Sequence, residues 1–138
     1  HKKDLIINDK GDNVAPQKVE GMLTLQPEIA QAMIAGDRRP HMVALIVPDP
    51  EWVQEWCAKN GEACRFETLA QNSTFRTALG QAVERVNKDL SVIERIRRFT
   101  LADEPFTIEN GQMTPSLKIR RHEIKKVYGE RLDALYGG

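Results

Sequence analysis

Runs of apolar residues along the chain predict the strands of a small sheet. Residues 29–35 and 42–47 are β-prone and are separated by a polar turn at 36–40, which predicts an antiparallel pair of strands. The second run contains no polar residue, so we expect it to be a central strand buried on both faces. A third β-prone run at 96–101 completes the predicted sheet.

A hairpin and several helices are predicted around this sheet. Residues 5–7 and 14–15 flank turn-forming residues and predict a short β-hairpin. Apolar residues recur at helical spacing in the segments 16–23, 50–60, 73–90 and 122–136. We expect the last helix to be interrupted at Gly129. The predicted fold class is α+β: a small β-hairpin plus a three-stranded sheet covered by helices, with the order of the strands left open.

Two residue pairs allow both a structural and a functional interpretation. Trp52 and Trp56 could form an aromatic platform for a ligand, but their helical spacing favours a helix that packs on its sheet. Cys57 and Cys64 match no zinc-binding spacing, and the three histidines are scattered, so no metal site is predicted. We expect two reduced thiols, and a disulfide across the turn at 60–61 is the alternative.

Length and charge limit the classes of function. The 138 residues suffice for one domain with a modest core. The 20 basic residues balance the 20 acidic ones, which argues against nucleic acid as a partner. No apolar run approaches the roughly 20 residues that a transmembrane helix needs, so no transmembrane segment is predicted.

A basic segment near the C-terminus carries the strongest candidate for chemistry. Residues 110–122 contain an Asn-Gly and a Thr-Pro turn signal, and Lys118 follows the second of these turns. A lysine ammonium is a compact point charge that suits phosphate oxygens. Arg120 and Arg121 come directly after it. Judged on this segment alone, an exposed basic hairpin without function is an equally good interpretation.

Two segments resemble the adenylate-forming ligases, in particular the AMP-forming acyl-CoA synthetases. Residues 110–122 are similar to their C-terminal signature, which reads Thr-Pro-x-x-Lys-x-x-Arg in the long-chain fatty acid branch. Residues 3–20 resemble the signature at the junction of the large and small domains, with matches at Lys3, Asp4, Ile6, Gly11, Val14, Pro16, Val19 and Glu20. Residues 21–49 are also similar to this branch. His1 departs from the pattern, because the family has an arginine there.

The resemblance implies a domain organisation. Residues 1–138 would be a single C-terminal domain of a longer ligase, with residues 1–4 as a hinge segment. The large N-terminal domain, which binds ATP and the acyl group, is absent from this chain. The family joins a carboxylate to coenzyme A by way of an acyl-adenylate, and the small domain rotates between the two steps.

The resemblance also assigns roles to particular residues. Lys118 would be the catalytic lysine of adenylation, acting by its charge. The hinge would be formed by Lys3 and Asp4, and the hairpin that lines the coenzyme A tunnel by Gly11, Asp12 and Asn13. Arg120 and Arg121 are candidate phosphate contacts, although a solvated or structural pair is the interpretation that we favour.

The cofactors and partners follow from the same resemblance. ATP, Mg²⁺ and coenzyme A would act in the full-length enzyme, and none is expected to bind this domain alone, which should be inactive by itself. The partners would be the N-terminal domain of the same chain and a fatty acid substrate. The expected location is the cytoplasm, with peripheral membrane attachment of the full-length protein left open.

Two alternative functions remain at this point. One is a non-catalytic α+β binding or regulatory module. The other is the C-terminal domain of a different adenylate-forming enzyme, such as a peptide-synthetase adenylation domain or a luciferase-like enzyme. Thr114 and Pro115 before the lysine favour the long-chain acyl-CoA branch.

Overall fold

The fold is built on a three-stranded sheet with helices on both faces. The computed structural model describes residues 5–137. Along the chain the elements are β1 (Ile6–Ile7), β2 (Asn13–Val14), α1 (Pro16–Leu23), β3 (Ile29–Ala35), β4 (Met42–Pro48), α2 (Pro50–Asn60), α3 (Phe66–Ala70), α4 (Ser73–Asn87), β5 (Ile96–Leu101) and α5 (Arg121–Ala134). A 3₁₀ helix at Val92–Glu94 precedes β5. The predicted α+β class, with its separate hairpin and sheet, is confirmed.

β4 is the central strand of the sheet, as its continuous apolar run predicts. Ala44 lies opposite Ile34 of β3 in an antiparallel ladder and opposite Phe99 of β5 in a parallel one. All residues from 42 to 47 are buried. Because successive side chains of a strand point to opposite faces, Ala44 and Val43 belong to different cores.

Each face of the sheet is covered by its own set of elements. The hairpin, α1 and α4 contribute to the core that contains Ala44, and α2 and α3 pack against the same side. α5 covers the opposite face with Ile124, Tyr128 and Leu132, which lie with Val43 in the second core. α1, which follows the hairpin, and α5, which follows Lys118, therefore contribute to different cores.

The tryptophans of α2 are part of the packing of this domain. Asp49 caps the helix, because its Oδ2 accepts a hydrogen bond of 3.0 Å from the Trp52 backbone N–H. Gly61 ends it in the left-handed conformation at φ 64°. The Trp52 and Trp56 rings lie 5.5 Å and 5.1 Å from the ring of Phe75 in α4. The rings therefore pack on a neighbouring helix, in agreement with the packing interpretation.

Several details differ from the predicted elements. α5 runs without a break through Gly129, so the predicted interruption is wrong. One glycine costs a helix only about 1 kcal/mol, and the buried face of Ile124, Tyr128 and Leu132 offsets this cost. The short helix α3 was not predicted. α4 ends at Asn87 because its side-chain amide binds both backbone groups of Ile96 at 2.9 Å.

The cysteines are free, and their thiols lie close together. Cys57 is buried in α2, and its Sγ is 2.9 Å from Sγ of the exposed Cys64. Burial raises the pKa of the Cys57 thiol to about 11, with a further contribution from the Cys64 thiol. The expectation of two reduced thiols is in accord with this arrangement. None of the helices in residues 5–137 combines the length and apolarity needed to cross a bilayer.

Candidate functional site

Lys118 lies at the end of a three-residue turn that is closed by hydrogen bonds. Met113 and Ile119 form an isolated antiparallel bridge at its base. The Thr114 N–H donates to the Lys118 carbonyl at 2.8 Å. In return, the Lys118 N–H donates to the Thr114 hydroxyl at 3.1 Å. We call residues 113–119 the lysine turn. Its bonds fix the backbone from which the Lys118 side chain extends.

The lysine turn contains a leucine in a conformation that favours glycine. The Leu117 N–H donates to the Thr114 carbonyl at 2.9 Å, and Leu117 then adopts φ 64°. This sequence of a tight turn followed by a left-handed residue is a common hairpin connection, in which glycine usually holds the left-handed position. A side chain there costs about 1–2 kcal/mol. The turn is therefore well defined but strained.

The ammonium of Lys118 has no acidic partner among the residues that the structure describes. The side chain is exposed. Among residues 5–137, no carboxylate lies within ion-pair distance of its Nζ atom. A stiff turn thus presents an uncompensated positive charge to the surroundings, which is the arrangement that electrostatic catalysis requires.

The segment that leads into the lysine turn is anchored to β3. Gln31 binds both backbone groups of Phe106: its Nε2 donates to the Phe106 carbonyl at 3.0 Å, and its Oε1 accepts from the N–H at 2.8 Å. Asn110 Oδ1 accepts hydrogen bonds from the N–H groups of Thr107 and Gln112, both at 3.0 Å. These contacts order a long connection that has little regular secondary structure.

A buried ion pair joins the two sequence signatures. Arg121 donates from Nη1 to Glu20 Oε2 at 2.7 Å and from Nη2 to Glu20 Oε1 at 3.1 Å. Both side chains also bind the backbone of Ile34, whose N–H donates to Glu20 Oε2 at 2.8 Å and whose carbonyl accepts from Arg121 at 3.1 Å. The Glu20–Arg121 pair thus holds α1, β3 and the start of α5 together. With its guanidinium engaged in this way, Arg121 has a structural role, and any contact with phosphate stays a prediction.

Arg120 is more exposed than Arg121 and is held loosely. Its Nη1 donates to the Gly111 carbonyl at 3.2 Å, and its Nη2 lies 3.9 Å from Glu123. Its backbone N–H donates to the Gln112 carbonyl at 2.8 Å, next to the lysine turn. The side chain could turn toward an anion by giving up one hydrogen bond and one weak ion pair, so its phosphate contact also stays a prediction.

The hairpin tip is organised by one buried asparagine. Asn8 Oδ1 accepts hydrogen bonds from the N–H groups of Lys10 at 3.0 Å and Asp12 at 2.9 Å. Gly11 adopts φ 86° at the exposed tip, where an added Cβ would meet nothing within 4 Å. Asn13 pairs with Ile7 in the hairpin ladder. We call residues 8–13 the hairpin tip.

Comparison with known proteins assigns this arrangement to a family. A family model described as the AMP-binding enzyme C-terminal domain matches residues 3–138. The chain belongs to this family. Long-chain-fatty-acid–CoA ligase 5 of Rattus norvegicus is 33% identical over 138 residues, a match that covers 98% of this chain and 20% of the rat protein. The chain thus spans about a fifth of the length of that relative.

Solved structures of adenylation domains share the fold. The adenylation domain of a carboxylate reductase from Mycobacterium chelonae matches with a TM-score of 0.79 at 29% identity, over 99% of this chain and 20% of that one. The A-PCP didomain of carboxylic acid reductase from Segniliparus rugosus, in complex with AMP, matches with a TM-score of 0.76 at 31% identity, over 97% of this chain and 17% of that one. The resemblance to the C-terminal domain of adenylate-forming ligases is therefore confirmed.

The structure places the predicted site residues in two separate regions. Lys118 extends from the lysine turn, and Gly11 lies at the hairpin tip. No hydrogen bond or ion pair connects these two regions directly in residues 5–137. The hinge residues Lys3 and Asp4 lie outside the described residues. Among residues 5–137, no group of three or more acidic, histidine or cysteine side chains is arranged to hold a metal ion.

Glu20 is the residue that sequence reasoning matched to a signature without giving it a role. Its sequence signal was available, because Pro16, Val19 and Leu23 define the apolar face of α1 and Glu20 lies on that same face. A carboxylate on a buried face requires a cationic partner. Nothing in the sequence identified Arg121 as that partner, since 101 positions separate the two residues.

Proposed function

We propose that this chain is the mobile C-terminal domain of a fatty acid–CoA ligase. Such an enzyme would activate a carboxylate as an acyl-adenylate and transfer the acyl group to coenzyme A. Family membership and the long-chain ligase among the relatives support the proposal. The observation that carries it is the lysine turn, which presents the unpaired charge of Lys118 from a closed backbone.

Lys118 would act in the first half-reaction. A carboxylate oxygen attacks the α-phosphorus of ATP, and pyrophosphate leaves with the electrons of the broken P–O bond. Negative charge is then shared by the carboxylate, the α-phosphate and the leaving group. A preorganised cation at this point lowers the barrier by several kcal/mol, and exclusion of water by the large domain would strengthen the effect.

The hairpin tip would act in the second half-reaction. After rotation at the hinge formed by Lys3 and Asp4, the tip with Gly11, Asp12 and Asn13 would face coenzyme A. The thiol sulfur attacks the acyl carbonyl, and AMP leaves with the electrons of the broken C–O bond. Glycine at the exposed tip supports this role, because it leaves room for a ligand to approach the backbone.

Lys118→Ala in the full-length enzyme tests the proposal. We expect adenylation, measured as fatty-acid-dependent pyrophosphate release, to fall by at least about 100-fold, which is the effect of losing one such electrostatic group. Thioester formation from supplied acyl-adenylate should largely persist. Lys59→Ala, at an exposed lysine in the last turn of α2, is the matched control. Equal loss in both half-reactions would show that Lys118 is structural.

A second candidate function is the C-terminal part of the adenylation domain of a carboxylic acid reductase. The TM-scores of 0.79 and 0.76 to reductase structures favour it. In the Segniliparus rugosus protein the adenylation domain is joined to a PCP domain. Incubation of the full-length protein with fatty acid, ATP and free coenzyme A distinguishes the two candidates. A ligase releases acyl-CoA, whereas an enzyme that passes the acyl group to an attached carrier domain does not.

A further inference from the structure

Leu117 has a conformation and an exposure that the domain itself does not explain. Among residues 5–137, only Leu117 and Arg38 adopt a positive φ without being glycine. A bulky residue in this region of backbone space is an outlier. The hydrogen bonds of the lysine turn involve backbone atoms and the Thr114 and Ser116 hydroxyls. None of them needs a leucine side chain, so glycine would form the same turn with less strain.

Packing within the domain does not compensate for this strain. The Leu117 side chain is 70% exposed, whereas Met113 and Ile119 at the base of the turn are half-buried. Leu117 borders a depression of about 350 Å³ between the lysine turn, α1 and β3, without filling it. Strained residues persist where the surrounding structure stabilises them, and they cluster at functional contacts. The strain and the exposure of Leu117 together point to a contact with residues outside the described part of the chain.

The position of Leu117 next to Lys118 indicates which surface contacts its side chain. Leu117 directly precedes Lys118, and the bonds to Thr114 hold both residues in one turn. A surface that receives the Lys118 ammonium must therefore also cover Leu117. We propose that Leu117 is an apolar anchor of the lysine turn, buried against the preceding large domain of the same polypeptide when Lys118 enters the adenylation site. Leu117 is thus a positioning residue, and this role rests on the proposed function.

Two variants in the full-length enzyme separate anchoring from turn geometry. Leu117→Gly removes the side chain and favours the turn, while Leu117→Asn keeps a side chain of similar size that tolerates the left-handed conformation but is polar. We expect both variants to lower the rate of adenylation about tenfold. Thioester formation from supplied acyl-adenylate should stay unchanged, because Leu117 is released in that orientation. Leu117→Met, which is apolar and of similar volume, should retain adenylation close to the wild-type rate.

Matched controls test the two properties of Leu117 one at a time. Arg38→Gly relaxes the other left-handed residue, and Val92→Asn removes another exposed apolar side chain, which is 66% exposed. Neither should change adenylation. The melting temperature of the full-length Leu117→Gly enzyme should not fall, since the substitution relieves strain.

The outcomes distinguish this inference from the proposed function. If Lys118→Ala impairs adenylation but Leu117→Asn and Leu117→Gly leave it intact, the anchoring role of Leu117 is wrong and the proposed function stands. If Leu117→Asn is fully active while Leu117→Gly is slow, stiffness of the turn is what matters, and the anchor is again wrong. If Lys118→Ala has no effect on adenylation, the proposed function itself fails, and the anchor fails with it.

Discussion

The hairpin tip and the lysine turn are both tight turns with a left-handed residue, but they are attached to the domain differently. The hairpin is bound to the β3–β4 turn: the Asp9 N–H donates to the Arg39 carbonyl at 3.0 Å, and the Arg38 N–H donates to the Ile7 carbonyl at 2.8 Å. It also uses glycine at its left-handed position. The lysine turn uses leucine there and projects beyond its base.

This difference concerns how each of the two turns is held in the domain. The hairpin is bound to the β3–β4 turn by backbone hydrogen bonds of Asp9 and Arg38. The lysine turn is closed by its own hydrogen bonds, and it is held to β3 by the contacts of Gln31 with Phe106 and Met113. The Glu20–Arg121 pair adds a link between α1, β3 and the start of α5, which follows the turn. Under the proposed function, the domain presents first one region and then the other to the large domain, so both regions need a fixed mutual position. We infer that the Glu20–Arg121 pair contributes to this by holding α1, β3 and the start of α5 together.

The largest expected effect comes from removal of this link. Glu20→Ala leaves the largely buried Arg121 guanidinium with the Ile34 carbonyl but without its carboxylate, and truncation of one partner of a buried pair costs about 3–5 kcal/mol. We expect the free energy of unfolding of the 138-residue chain, measured in urea, to fall by this amount. Adenylation by the full-length enzyme should fall as well, because the start of α5 and the lysine turn lose their support.

The matched control lies on the same helix. Lys18 forms an exposed pair with Glu94 at 2.9 Å, and exposed pairs contribute only about 0–1 kcal/mol. Lys18→Ala should therefore change the urea midpoint little. A loss of less than about 1 kcal/mol for Glu20→Ala would mean that solvent reaches the Glu20–Arg121 pair and that it does not link the two regions.

An intermediate effect is expected from the side chains that organise each turn. Asn8 is 6% exposed, and its Oδ1 accepts two backbone hydrogen bonds. Asn8→Ala should destabilise the chain by about 1–3 kcal/mol, because two backbone hydrogen bonds, each worth about 0.5–1.5 kcal/mol, are lost. Thr114→Val removes the single acceptor of the Lys118 N–H at a more accessible position, so about 0.5–1.5 kcal/mol is expected.

The two substitutions should differ in their functional consequence. Thr114→Val should slow adenylation, since the backbone of Lys118 loses a restraint, while Asn8→Ala should affect thioester formation. Unfolding in urea and separate assays of the two half-reactions provide the measurements. If both variants impair the same half-reaction, the two turns do not have separate roles.

Much of the fold was predictable because buried strands and helices require apolar residues at characteristic spacings. β4 is buried on both faces and reads as an unbroken apolar run, and Asp49 and Gly61 mark the ends of α2. The pairing of β5 with β4 rather than with β3 was not predictable from these patterns, because a long connection with three α-helices separates β5 from both strands. Local propensity also failed at Gly129, where tertiary packing maintains the helix.

The residues of the candidate site were proposed from the sequence, but their geometry could not be. The signature predicts a role for Lys118, which stays a prediction, and its side chain is exposed. The left-handed conformation of Leu117 had no local signal, because leucine is among the residues least suited to it. The pairing of Glu20 with Arg121 depends on how β3 brings α1 and α5 together, and this is information that only the assembled fold contains.

The smallest expected effects come from alanine substitutions at two glycines. They should change the free energy of unfolding in opposite directions. Gly11 has φ 86° at the hairpin tip, and Gly21 lies in the interior of α1. An added Cβ meets nothing within 4 Å at either position, so steric crowding does not contribute. Gly11→Ala should cost about 1 kcal/mol because of its left-handed backbone, whereas Gly21→Ala should stabilise the helix by up to about 1 kcal/mol.

A larger side chain at Gly11 then tests the coenzyme A path. In the full-length enzyme, Gly11→Leu should leave adenylation near normal and depress thioester formation, because the added side chain lies where the thiol would approach. The loss of stability should match that of Gly11→Ala, since the space within the domain is open. If Gly11→Leu and Gly11→Ala reduce thioester formation equally, the altered turn backbone is responsible. A selective loss with leucine would instead place the hairpin tip beside coenzyme A.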